Sequence, residues 1–210
     1  MPTHKTQLKN AAAHLAKYDP ILAPIIKQAG LATISPHRNY YWALVDSIIS
    51  QQLSVKAAST IEGRFQALFT SEIPEPTAIL EKSIEELRSV GLSNAKAHYI
   101  HDLAQHIVDG RLRFDQLDSQ SNEAIITELT DVKGIGEWTA HMFLIFCMGR
   151  LDVLAPGDLG IRNGIRALYG LADVPSPQQV SDIAQTNNWH PYESVACWYV
   201  WRSLDNKPAL

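Results

Sequence analysis

Between Leu129 and Ala140 the chain reads L-T-D-V-K-G-I-G-E-W-T-A, and no other stretch restricts the fold as much. A helical apolar pattern through Ile125, Ile126 and Leu129 stops at a Gly-Ile-Gly turn, and a second helical pattern begins at once. Two glycines two positions apart let such a connection close tightly. The second pattern, Trp138 to Gly149, is apolar on nearly every face, so burial of that whole helix is expected. The turn also sets N–H groups at a helix start, a nest that accepts a phosphate without needing lysines. A plain helix–helix connector accounts for the same glycines. A dinucleotide fingerprint does not, because its third glycine is replaced by Thr139.

The rest of the chain repeats the helical grammar. Asp19-Pro20 opens a segment that Gly30 closes. Tyr41, Leu44, Val45 and Ile48 form one apolar stripe; Ser54 caps the next helix, with Ala58, Ile61, Phe65 and Leu68 inward. Ser83 with Glu86 has capping-box spacing, Gly91 is the matching stop, and Ser93 opens a helix toward Gly110 with Ala97, Ile100, Leu103, Ala104 and Ile107 inward. Ser176-Pro177 with Gln179 is a further start signal. Sustained period-two alternation and Asn-Gly or Asp-Gly hairpin turns are missing from the sequence, so the expectation is an all-α protein of about ten short helices.

Composition narrows the function classes. With 46% hydrophobic and 19% charged residues over 210 positions, a core can form as one domain or two small lobes. Lys+Arg 18 against Asp+Glu 22 gives a net charge of −4, so any nucleic-acid role must rest on a local site. Two cysteines exclude a disulfide framework, a four-thiolate zinc site and a four-cysteine iron–sulfur cluster. Cys147 and Cys197 read as core thiols. The N-terminal MPTHKTQLKN lacks a signal-peptide core, and no apolar run reaches membrane-spanning length. A soluble protein of a reducing compartment is expected, with no membrane partner.

Three further signals bear on chemistry. In D-V-L-A-P-G-D-L-G-I-R-N-G, Pro156-Gly157 forces a bend and Asp158 stands where a helix N-cap belongs. The plain reading is a cap; a helix N-terminus also favours negative charge, which a catalytic anion requires, and the two roles are compatible. The C-terminal W-H-P-Y-E-S-V-A-C-W-Y-V-W-R places Trp198 and Trp201 one helical turn apart, with Tyr192 and Tyr199 nearby. Such aromatics are core material or one wall of a pocket that stacks a base. His98, His101 and Asp102 share a helix face at ligand-like spacing, although helical His pairs are usually solvated.

Taken in order, these motifs resemble the helix-hairpin-helix DNA glycosylase superfamily, in its alkylpurine branch of DNA-3-methyladenine glycosylase II type. Y41-W-A-L-V-D-S-I-I-S-Q-Q-L-S-V-K-A-A58 and G91-L-S-N-A-K-A-H-Y-I-H-D-L-A104 look like the same branch, and the likeness runs over residues 38–203. The resemblance implies two helical lobes with a central DNA-binding cleft. One lobe is expected over 36–150, ending with the hairpin at about 122–149. The other is expected to combine 1–35 with 151–210 and to carry the catalytic aspartate. No separate N-terminal β domain is expected, as in compact members.

Carried over residue by residue, the resemblance makes Asp158 the catalytic carboxylate. Gly134, Ile135 and Gly136, with Lys133 beside them, become the phosphate-gripping turn. A monovalent cation, Na+ or K+, is implied at the backbone of Val132 and Gly134, with no other cofactor. Gln52 aligns with the wedge that fills the gap left by a flipped nucleotide, and Trp201 with an aromatic of the base pocket. Trp138 lies on the pocket side, where strand-cleaving members carry a lysine nucleophile; without it no Schiff base forms there and no lyase activity is expected. Lys56 and Arg162 are the remaining basic residues nearest these motifs. Glu193 departs from the arginine that similar proteins commonly carry.

The function so implied is hydrolysis of the N-glycosidic bond of alkylated purines, of 3-methyladenine or 7-methylguanine type, in base-excision repair of double-stranded DNA. A monomer is expected, cytoplasmic in a bacterium or nuclear in a eukaryote. The alternatives are a glycosylase for ethenoadenine or deaminated purines, and a lesion-binding protein of the same fold that releases no base.

Overall fold

The computed structural model describes residues 3–71 and 73–205. In chain order the helices are α1 (His4–Tyr18), α2 (Leu22–Ala29), α3 (Tyr40–Ser50), α4 (Val55–Gln66), α5 (Pro76–Leu80), α6 (Ile84–Ser89), α7 (Asn94–Val108), α8 (Asn122–Asp131), α9 (Glu137–Met142), α10 (Leu159–Tyr169), α11 (Pro177–Thr186) and α12 (Glu193–Asp205). A 3₁₀ turn covers Leu117–Ser119, and a π-helical segment, Phe143–Met148, continues α9. No strand occurs among the described residues, as the missing alternation predicts.

The start signals act as read. Ser54 and Ser93 accept the N–H three residues on, and Ser83/Glu86 and Ser176/Gln179 close reciprocal capping boxes; Ser121, not singled out in the sequence, caps α8 in the same way. Each such cap contributes about 1 kcal/mol by satisfying helix donors that otherwise lack partners.

The chain divides into two compact units. One comprises the segment through Pro36 together with the chain from Leu144 onward; the other is His37–Phe143. The expectation placed the lobe boundary at 150; this division falls between Phe143 and Leu144. Leu144 and Ile145 are buried, the Leu144 carbonyl accepts from Arg150 N–H at 2.9 Å, and Gly149 lies against Pro36 so closely that a Cβ would be 2.7 Å from the proline ring. The π-helical segment therefore belongs with Pro36.

In the first unit, α12 packs on α1, α2 and α10. Its core is tied by buried Asp19, whose Oδ1 accepts from the N–H groups of Ile21 and Leu22 at 2.9 and 3.0 Å. Asp19 Oδ2 accepts from Trp189 Nε1 at 2.7 Å and from the Tyr169 hydroxyl. A buried carboxylate persists only when so fully hydrogen-bonded. In the second unit, α7 is central: α3, α5 and α6 pack on it, and α8 packs on α9. His106, an unexpected buried polar residue on α7, lies beside Ile107, which is only half-buried. Its Nδ1 is 2.8 Å from the Asp102 carbonyl and its Nε2 is 3.1 Å from Asp131 Oδ2 at the end of α8.

Candidate active site

Asp158 is the N-cap of α10 and is buried, 9% exposed. Its Oδ1 accepts from the Ile161 N–H at 2.7 Å and from Trp201 Nε1 at 2.9 Å. The N–H bond follows from its place at the helix start; the indole bond needs α12 to come very close. Two glycines one turn apart on α10 permit that. A Cβ at Gly164 would be 2.5 Å from Val200 Cγ1, and one at Gly160 would be 3.0 Å from Asp158 Oδ1 and 3.1 Å from Trp201 Cδ1. The approach to Asp158 is also pinned. Buried Ser194 donates from Oγ to the Val153 carbonyl at 3.1 Å and accepts from Val153 N–H at 3.0 Å, while Ser194 N–H donates to Leu151 at 3.0 Å.

An aromatic ring lies against the indole that bonds this carboxylate. The Phe146 ring, on the π-helical segment, lies 5.7 Å from the Trp201 ring at 33°. Leu159, next to Asp158, is 62% exposed. π-helical turns re-aim side chains and recur at functional sites. Here one turns out Phe146, which is 39% exposed. That corrects the expectation that the helix from Trp138 to Gly149 is wholly buried: Trp138 too is 55% exposed, at the start of α9.

The hairpin Val132–Gly136 is held from α7. Asp102 Oδ2 accepts from the Lys133 N–H at 2.9 Å, and its Oδ1 is 3.6 Å from Lys133 Nζ. Gly134 has φ +84°, and a Cβ there would be 2.2 Å from the Tyr99 ring, so both conformation and space demand glycine. Gln51 Nε2 donates to the Gly134 carbonyl at 2.8 Å. The Ile135 N–H closes the turn onto the Val132 carbonyl at 3.1 Å, and the Ile135 side chain is buried. Ile135 thus anchors the turn whose N–H groups are expected to grip a phosphate. Gly136 caps α9 without a side chain and has open space around its Cα. The two carbonyls expected to hold a cation, Val132 and Gly134, already accept from Ile135 and Gln51, so a cation there must use their second lone pairs.

Gln52 is exposed, with φ +56°, a left-handed conformation uncommon for a non-glycine residue. Lys56 is exposed on α4. Arg162, a basic residue near these motifs, is tied within its own unit, its Nε donating to the Pro175 carbonyl at 2.7 Å. His98, His101 and Asp102 do not converge: His98 bonds the Asn94 carbonyl, His101 the Lys82 carbonyl and Asp102 the Lys133 N–H. No group of three metal-binding side chains occurs among the described residues. Tyr199 is core, donating to the Gly30 carbonyl at 2.9 Å, and Trp198 meets its ring edge-on. Glu193 accepts from His190 Nδ1 at 2.9 Å, the local contact that stands at the departure from arginine. Burial pushes both thiols, Cys147 and Cys197, up to about 12, so both stay protonated and inert.

Sequence reasoning missed Phe146, Gly160, Gly164, Gln51 and Lys96. The glycines left a trace in Leu-Gly-Ile-Arg-Asn-Gly, two glycines at helical spacing; the others left none.

A Gly-Ile-Gly hairpin between two helices, followed along the chain by a buried, indole-bonded aspartate at a helix start, is the pattern of a helix-hairpin-helix repair protein. The family model for HhH-GPD superfamily base excision DNA repair proteins matches residues 45–188, and the chain belongs to that family. It is similar to DNA-3-methyladenine glycosylase 1 of Schizosaccharomyces pombe, 33% identical over 205 residues, 94% of this chain and 88% of that protein. It is also similar to the alkylbase DNA glycosidase-like protein mag2 of the same organism, 30% identical over 199 residues, 92% of each. Among solved structures, DNA-3-methyladenine glycosidase from Bacillus halodurans matches with TM-score 0.85 and 37% identity, over 93% of this chain and 89% of that one. The Schizosaccharomyces pombe 3-methyladenine DNA glycosylase Mag1, in complex with abasic DNA, matches with TM-score 0.77 and 33% identity, over 91% of this chain and 95% of that one.

Proposed function

We propose that the protein is a monofunctional DNA glycosylase that hydrolyses the N-glycosidic bond of alkylated purines in duplex DNA. The observation that carries the reading is the Asp158 carboxylate, fixed by the Ile161 and Trp201 N–H groups, with Phe146 against the Trp201 ring. The relatives named for 3-methyladenine support the same substrate class.

A base within a duplex cannot reach such a carboxylate and must be flipped out, at a cost of a few kcal/mol that damage lowers. Alkylation at purine N3 or N7 leaves the base cationic and already a good leaving group. Little general-acid help is then required, which suits a site with one carboxylate in place of the usual glycosidase pair. As the base departs, positive charge develops on the deoxyribose, and Asp158 stabilises it and orients the attacking water. Two unit charges ~4 Å apart at an effective dielectric of ~20 interact by about 4 kcal/mol, roughly a thousandfold in rate. The electron-rich faces of Trp201 and Phe146 favour a cationic base over a neutral one by cation–π attraction. The N–H groups of Gly134 and Gly136 grip a backbone phosphate, and the absence of lysine at Trp138 leaves water as the nucleophile.

The test is release of free base from methylated duplex DNA, identified by chromatography, with strands inspected for breaks before any alkali. Free 3-methyladenine with unbroken abasic strands is expected. Breaks without alkali would overturn the monofunctional mechanism, and no release of any base from the methylated duplex would overturn the activity.

A further inference from the structure

One stripe of α7 carries Lys96, Tyr99, Asp102 and His106, spaced so that all four face the same way. Each meets a different part of the same unit. Lys96 Nζ donates to the carbonyls of Ile49 at 2.8 Å and Gln51 at 2.6 Å, at the end of α3. Tyr99 lies under Gly134, Asp102 accepts from Lys133 N–H, and His106 meets the last residue of α8. Gln51 then ties the two loops to each other, through its amide bond to the Gly134 carbonyl. Leu53 N–H returns to the Ser50 carbonyl at 3.1 Å. Gln52, in its left-handed conformation, is the exposed residue of a loop fixed on both sides.

We infer that Lys96 and Gln51 are positioning residues that lock the Gln52 loop to the phosphate-gripping hairpin, so that wedge insertion and phosphate grip occur as one rigid step. The inference rests on the glycosylase reading above and on Gln52 as the wedge. Three features support it. A left-handed non-glycine residue is strained and persists only where its surroundings fix it. An ammonium on two carbonyls at a helix end fixes both the last turn and the next residue, with charge-assisted hydrogen bonds. Burial also lowers the Lys96 pKa, the cost of withdrawing this ammonium from water to serve the loop. A wedge that needed no fixed position would not require it.

The test compares single-turnover release of 7-methylguanine from two duplexes: one with the lesion paired to cytosine, one with it opposite an abasic site, where no partner base resists flipping. Gln51→Glu keeps the shape but removes the N–H donor, and Lys96→Met keeps the stem but removes the charge. Each is expected to slow the paired substrate about tenfold, the effect of one lost charge-assisted or buried hydrogen bond, and the unopposed one less than about twofold. Equal slowing of both substrates, or of neither, would overturn the inference. Gln52→Ala separates it from its premise. If Gln52→Ala slows the paired substrate selectively and the two positioning variants do not, the lock is wrong and the wedge stands. If the positioning variants act selectively and Gln52→Ala does not, the lock stands but its cargo is a neighbouring residue of the loop. Thermal melting of Gln51→Glu, a half-buried loop change, controls for folding.

Discussion

Two helix N-termini, one in each unit, use the same physics in opposite ways. At the head of α10, Asp158 is itself the anion: it takes the Ile161 N–H, and the indole of Trp201 adds a second donor. At the head of α9, Gly136 supplies no side chain, and on the proposed function the anion comes from the DNA. On the proposed function, the first end serves a cation that develops during reaction. The other, on the same proposal, serves a phosphate. Glycine is required near both, for different reasons. Gly134 needs a positive φ and the space over Tyr99, whereas Gly160 and Gly164 have ordinary dihedrals and are set by the closeness of α12. What separates the two ends is whether the chain brings its own negative charge.

The contrast can be broken first at Gly134. Gly134→Ala forces a left-handed alanine, about 1–2 kcal/mol, and a methyl into the Tyr99 ring, about 1–3 kcal/mol more. Denaturant unfolding should show this loss, and duplex affinity should fall at least about tenfold, whereas base release per bound complex should not change selectively. Trp201→Phe acts at the other end. It keeps a ring but removes one donor to a charged group, so single-turnover release should slow by roughly tenfold to a hundredfold with duplex affinity held. Gly136→Ala sharpens the comparison, since its Cβ meets nothing: stability should stay within about 0.5 kcal/mol while duplex affinity drops severalfold.

The smallest effect concerns pH. His141, buried on α9, has its pKa lowered by desolvation, with Glu137 opposing weakly. The unfolded chain protonates this ring near 6.5 and the folded one only below that. His141 therefore costs nothing above pH 6.5, and stability is lost as pH falls through the depressed folded value. His141→Gln should shrink the drop in melting temperature between pH 7 and pH 5, and an unchanged drop would count against the burial argument.

Local features were legible in the sequence. Caps at Ser83, Ser93 and Ser176, the all-helical class, the Gly-Ile-Gly turn and Asp158 as N-cap depend on neighbours within a turn or two, which spacing encodes. Trp201 became informative only through its resemblance-based pairing with Asp158, because the helix that carries it also holds core aromatics such as Tyr199. Phe146 was invisible because an ordinary helical period hides a π-helical turn, which rotates later side chains off the expected face. The bonds of Lys96 and Gln51 join residues 45 and 83 positions apart, and nothing in local spacing reports such partners. The bond from Arg162 to the Pro175 carbonyl is likewise a contact that local spacing does not report.

The central claim is that the chain's own anion at the head of α10 carries the reaction. Its most direct test is Asp158→Asn, which keeps the cap's shape and removes its charge, measured as single-turnover release of 3-methyladenine alongside affinity for the same duplex. The account predicts a loss of roughly a thousandfold in release with affinity within about threefold of wild type. Release at the wild-type rate would contradict it and return Asp158 to the role of a helix cap.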